Sequence, residues 1–172
     1  MLYAPAPMHI PDGFLSTLVS IVLWLVSLAV IALAVRKTSQ SLDEKQVPLM
    51  GILAAAIFAG QMLNFSVTGG TSGHLLGAAL ATILLGPWAS VLVMTTVVSV
   101  QALVFQDGGL LALGANIFNM AMLGTAVAYA VYRLVMKLVK KEPLNVLVSG
   151  FAAAWASIFI ASVIRPAPRP GF

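Results

Sequence analysis

His9 and His74 are the only imidazoles in this 172-residue chain, and no cysteine accompanies them. His9 belongs to the stretch MHIPDGFLS (residues 8–16), and His74 closes a glycine-rich run, VTGGTSGH (residues 67–74). Neutral imidazole is the commonest protein ligand for transition metals, and nitrogen-rich sites suit Ni(II), Cu(II), Co(II) and Zn(II). Two histidines alone make a thin ligand set, and lone polar residues bonded to backbone carbonyls near lipid headgroups account for them equally well. The dipeptide Met8-His9 adds a second route. With Met8 as the N-terminal residue, its free amine, the His9 amide nitrogen and the His9 imidazole would hold one metal ion in a plane. The fourth position would then be open to His74. Square-planar nitrogen coordination is the geometry of Ni(II) and Cu(II).

The residues around the pair read as scaffolding. Pro11 stiffens the exit from His9, and Asp12-Gly13 reads as a helix N-cap or turn before Phe14. Gly69, Gly70 and Gly73, interleaved with Thr71 and Ser72, form either an ordinary flexible loop or one built for close approach of another backbone. No Gly-Lys-Ser/Thr follows, which argues against phosphate binding. Asn64, Thr68 and Gln106 line the neighbouring loop ends. Asn116 and Asn119 lie three apart on one helical face and are expected to make interhelical hydrogen bonds. The eight methionines read as core packing. No nucleophile–base pair is visible, so the chain does not read as an enzyme.

These residues are carried by a chain made for lipid. It is 60% hydrophobic and 8% charged, with a mean hydropathy of +1.03, where soluble domains carry roughly 25% charged residues. The expected fold is an all-α polytopic membrane protein, a bundle of about six transmembrane helices. The segments run from Phe14 to Val35, Val47 to Phe65, Leu75 to Leu85, Trp88 to Phe105, Leu110 to Val139 and Leu144 to Ile164. The third is too short to cross without tilting or local thinning of the bilayer. All 172 residues form one membrane domain: an N-terminal loop (1–13), the bundle (14–164) and a Pro/Arg tail (165–172). The first 35 residues lack the basic leader and small-residue cleavage site of a secretory signal. No basic patch interleaved with aromatics points to nucleic acid.

With six crossings, alternate connections share a side. Arg36, Lys37, Lys45, Arg133, Lys137, Lys140 and Lys141 fall together, and Arg165 and Arg169 fall opposite, so seven of the nine basic residues mark the cytoplasmic side. His9, His74, Asp12 and Asp107 then share the outer face, with the N-terminus outside.

Four blocks, MHIPDGFLS, VPLMGILAA, GGTSGHLLGAALATILLGPW and VFQDGGLLALGANIFNMA, closely resemble the CbiM/NikM family. That family comprises the substrate-binding membrane subunits of energy-coupling factor transporters for cobalt and nickel. The resemblance runs from Met8 to about residue 132. It implies a multi-pass protein of a prokaryotic plasma membrane that binds Co(II) or Ni(II) as transported substrate, with no cofactor of its own. It implies as partners a transmembrane coupling subunit, cytoplasmic ATPases and a small additional membrane subunit, since this chain has no Walker-type phosphate loop. It also implies an N-terminal loop inserted into the bundle, with metal held by Met8, His9 and His74. Asp12, Asn64, Gly69, Gly70, Thr71 and Ser72 would anchor that loop.

Two departures accompany the resemblance. MLYAPAP precedes Met8, and the expectation is that translation begins at Met8, the upstream start being misassigned; processing of the extension or an altered site are the other readings. Family members continue past AAWASIFIASV into a further helix with a glycine-rich acidic motif, so a shortened subunit is expected here. The alternative function is a scaffold subunit without metal transport.

Overall fold

The computed structural model describes residues 9–41, 43, 46–63, 65–67 and 71–164. Six apolar helical stretches build it. They are α1 (Thr17–Ser41), α2 (Gln46–Gln61), α3 (Ala78–Leu85), α4 (Pro87–Phe105), the rod from α5 (Leu113–Asn116) through a π-helical segment (Ile117–Leu123) into α6 (Gly124–Leu138), and α7 (Leu144–Val163). Four of these, α1, α4, Leu113–Leu138 and α7, are long and apolar enough to cross a membrane unaided. A short antiparallel pair, β1 (Phe65–Val67) and β2 (Thr71–Gly73), sits where the sequence reads as a plain loop.

The boundaries depart from expectation in instructive ways. α1 continues past the Arg36-Lys37 pair to Ser41. Two charges end an apolar run, but Arg and Lys are good helix formers, and Ser39 and Ser41 hydroxyls bond back to the carbonyls of Arg36 and Lys37. α2 stops at Gln61, short of Phe65, because Phe65 is paired with Gly73 in the strand ladder. The third segment is helical only from Ala78, and its eight residues rise roughly 12 Å. Gly77 ahead of it holds φ +78°, and a Cβ there would run into Ile57. The non-helical leg Leu75–Gly77 is tolerated beside the bundle because protein groups satisfy its carbonyls. His74 Nδ1 bonds Leu75 O, and Gln61 Nε2 bonds Leu76 O.

α4 is the hub: half of its span is buried, against 17% for the peripheral α1. α1 crosses the start of α5 closely at Gly114, whose position for a Cβ lies 2.7 Å from the Trp24 Cα. The crossing is tied by Ser27 Oγ to Gly114 O at 2.8 Å and by Trp24 Nε1 to Leu111 O at 3.1 Å. Below, Thr82, Ser90 and Thr125 join α3, α4 and α6 through hydroxyl bonds of 3.0 Å. α7 packs on α6 and α3 through a small or polar face of Asn145, Ser149, Ala153, Ser157 and Ala161, the close-approach packing that membrane helices favour.

Gly114→Ala should therefore force α1 off the rod and cost about 1–3 kcal/mol, as overpacking does. Gly51→Ala is the control, since a Cβ at Gly51 meets nothing within 4 Å and alanine is the better helix former. Thermal unfolding in detergent should show a lowered midpoint for Gly114→Ala and none for Gly51→Ala.

Candidate metal centre

His9 is held at the end of an inserted segment whose main chain is gripped from the loop after α4 and from the rod. The side-chain amide of Asn116 takes both polar groups of Ile10: Oδ1 accepts from Ile10 N at 2.8 Å, and Nδ2 donates to Ile10 O at 3.1 Å. Gly109 N also donates to Ile10 O, at 3.0 Å. Two residues on, the Asp12 carboxylate accepts from Leu110 N and Ala112 N, each at 3.0 Å. Asp12 is thus not the N-cap of α1. Ser16, whose Oγ accepts from Val19 N at 3.3 Å, takes that place. Asp12 instead sits across the space at the positive N-terminal end of α5, where a carboxylate is favoured.

The chain that receives this segment must come very close to it, and the glycine pair after Asp107 makes that possible. Gly108 has φ +108°, and a Cβ there would lie 3.0 Å from both His9 Cβ and Asn116 Nδ2; at Gly109 it would overlap the Asp12 backbone nitrogen. His9 ends up 1% exposed and Ile10 3% exposed.

His74 approaches from the end of β2. Its ring stacks on that of His9, with centroids 5.5 Å apart and planes 16° from parallel. Its Nδ1 lies 2.8 Å from Leu75 O. A carbonyl can only accept, so Nδ1 carries the proton and Nε2 presents a bare lone pair. That Nε2 is buried and has no hydrogen-bond partner among the described residues, and the same is true of His9 Nε2. Burial pushes the His74 imidazole below its ordinary value of 6.5, opposed by the bond to Leu75 O, so the neutral, ligating form persists into mild acid.

Asp107 lies beside His9. Its Oδ1 lies 3.1 Å from His9 Nδ1, off the line of a hydrogen bond. The neighbouring His9 ring lowers its carboxyl pKa, against a smaller opposing effect of burial, so it stands as a carboxylate. Among the described residues, no three His, Cys, Asp or Glu side chains are grouped so as to hold a metal ion.

Of the residues singled out from sequence, His9, His74 and Asp12 are thus brought to one end of the bundle. Thr71 and Ser72 lie in β2, opposite Val67 and Ser66. Met8, Asn64, Gly69 and Gly70 lie outside the described residues. Asn119 makes the expected interhelical bond, to Ala161 O of α7 at 3.0 Å. Asn116 does not, its amide being committed to Ile10. Sequence reasoning also missed Gln61 and Gln101. They form a buried pair, Gln101 Nε2 to Gln61 Oε1 at 2.9 Å, which secures the leg behind His74 through the Leu76 carbonyl. The available signal was their polarity inside apolar segments.

Residues 9–166 match the family described as CbiM, cobalt uptake substrate-specific transmembrane region. The chain is 45% identical over 157 residues to a putative metal transport protein of Haloquadratum walsbyi, covering 91% of this chain and 69% of that one. It is 44% identical over 156 residues to a putative fused nickel transport protein, NikMN, of Archaeoglobus fulgidus, and there it spans only 50% of the relative's length. A crystal structure described as a truncated transition metal transporter superposes with a TM-score of 0.79 at 40% identity, covering 91% of this chain and 72% of that one.

Proposed function

The chain belongs to the CbiM family of cobalt uptake substrate-specific transmembrane regions, and from that premise we propose that it captures Ni(II) or Co(II) as the membrane-embedded, metal-binding subunit of an uptake transporter. The observation that carries this reading is the buried His9–His74 pair under the main chain of an inserted N-terminal segment. Two imidazoles do not make a complete site, and no third side chain joins them among the described residues. Main-chain nitrogen is the natural remainder. Met8 amine, His9 amide and His9 imidazole form a continuous chelate, and His74 Nε2 closes the plane.

That chelate can close only through His9 Nδ1, the ring nitrogen nearer the backbone. Nδ1 is the atom that faces Asp107. The ion therefore enters between ring and carboxylate, where the negative charge offsets part of its own. Asn116, Asp12, Gly108 and Gly109 hold the ligand-bearing segment in register. An all-nitrogen plane suits Ni(II), while Co(II) can use the same donors.

Movement of the captured ion needs an energy source. The chain carries no Walker-type phosphate motif, so ATP hydrolysis is assigned to cytoplasmic ATPases acting through a transmembrane coupling subunit, with a small additional membrane subunit completing the complex. The basic ends of α1 and α6 face the cytoplasm, and the histidine pair faces outward across the plasma membrane.

The direct test is calorimetry with Ni(II) and Co(II) on purified protein beginning at Met8, beside the chain retaining residues 1–7. Binding is expected to be at least roughly tenfold tighter with the free Met8 amine, the loss of one donor costing about 1.4 kcal/mol or more. No binding by either form would support the scaffold reading instead.

A further inference from the structure

At the end of the bundle opposite the histidines, a cleft of about 480 Å³ opens between α1, the first turn of α4 and α6, within the range of small-ligand pockets. Its walls are largely apolar: Val30 from α1, Trp88 from α4, Met122 from the π-helical segment, and Ala126 and Tyr129 from α6. The Thr125 hydroxyl is engaged with Ser90 Oγ at 3.0 Å, which leaves the Tyr129 phenol as the other hydroxyl of the lining. Trp88 and Tyr129 are 38% and 40% exposed.

The cleft runs into charge. Below Met122, the residues Ala126, Tyr129, Arg133 and Lys137 follow one another at three- and four-residue steps on a single face of α6. Arg133 already rests over the Tyr129 ring, 5.8 Å from its centroid, within cation–π range. On α1, Lys37 lies two turns beyond Val30 on the same face. Arg36, Lys140 and Lys141 stand at this end as well, against the acids Asp43 and Glu142. Among the described residues none of these cations forms an ion pair.

We propose that this cleft is a binding site for an anionic phospholipid, its acyl chain lying along Val30, Trp88, Met122 and Ala126 and its phosphate held by Arg133 and Lys137. An apolar furrow that ends in an aromatic and a row of cations without an ion pair among the described residues matches both parts of such a molecule. Basic pockets between membrane helices recognise anionic headgroups in this way. A protein helix would need an acidic end placed at the same depth, whereas the surrounding bilayer supplies the amphipathic anion directly.

The test uses the full chain with Trp24→Phe and Trp155→Phe, leaving Trp88 as the reporter, in bilayers containing bromine-labelled phosphatidylglycerol or bromine-labelled phosphatidylcholine. Phosphatidylglycerol is expected to be enriched at Trp88 by roughly fivefold per basic residue engaged, and so to quench it more strongly. Arg133→Gln with Lys137→Gln should bring the two lipids level. Equal quenching in the unmodified site would overturn the proposal. So would shielding of Trp88 from both lipids, which would point to a second protein surface. Loss of the preference on adding inorganic phosphate at matched ionic strength would put a free anion in place of the lipid. Native mass spectrometry of the protein with all tryptophans intact, supplied equally with both lipids, gives an independent reading. Phosphatidylglycerol adducts should dominate, and parity would refute the site.

Discussion

Replacing His74 with alanine is expected to weaken Ni(II) and Co(II) binding at least roughly a hundredfold, about 2.7 kcal/mol, in protein beginning at Met8. His74 Nε2 is buried without a protein partner, and its Nδ1 is fixed on Leu75 O, which locks the tautomer and aims the ring much as the outer hydrogen bond of a metal-bound histidine does. On the proposed coordination, removing it would leave the Met8–His9 chelate with one position open to water. Some binding survives, because three nitrogen donors remain linked through one short piece of chain. The ligand field does not survive intact. Water is a weaker donor than imidazole, so the visible absorption of bound Ni(II) should move to lower energy. Calorimetry and absorption together separate a lost ligand from a disturbed fold. Unchanged affinity with an unchanged spectrum would remove His74 from the site.

The sequence foretold the parts of the structure that rest on local signals. The apolar runs that became α4 and α7 end within a residue or so of their expected limits, because Gly86-Pro87, QDGG and the turn before Leu144 are local punctuation. Counting crossings was enough to put the two histidines at one end, and the structure stacks them at 5.5 Å. What escaped was the destination of polar groups. An aspartate ahead of an apolar run has the local look of an N-cap, yet Asp12 bonds to amides about a hundred residues away. Asn116 has the composition of an interhelical bridge, and its partner is instead a backbone 106 residues earlier. Neither partner leaves a mark near the residue that needs it. The π-helical turns at Ile117–Leu123 were equally silent, since a change of one residue in hydrogen-bond spacing leaves the apolar pattern almost unaltered.

Asn116→Leu should loosen the N-terminal segment while leaving the coordination of a saturated site intact. Leucine has the same number and branching of side-chain heavy atoms as asparagine, though it is bulkier, and it lacks both polar atoms. Ile10 O would still have Gly109 N, but Ile10 N would be left buried and unpaired, at a cost of about 1–3 kcal/mol. The segment can avoid that cost by undocking, so the variant shifts an equilibrium more than it strains a structure. Exchange of the Ile10 amide should then quicken by roughly tenfold for each 1.4 kcal/mol lost. Apparent metal affinity falls by the docked fraction, since only the docked segment presents His9 to His74. The loss is therefore bounded by the change in docking, and it shrinks toward nothing if docking is favourable by several kcal/mol. This gives Asn116 a signature that His74 lacks: weaker binding at low metal with the same absorption spectrum at saturation. A spectrum that differs at saturation would mean the amide shapes the coordination plane itself. Unaltered exchange at Ile10 would mean that Asp12, through Leu110 and Ala112, holds the segment without help.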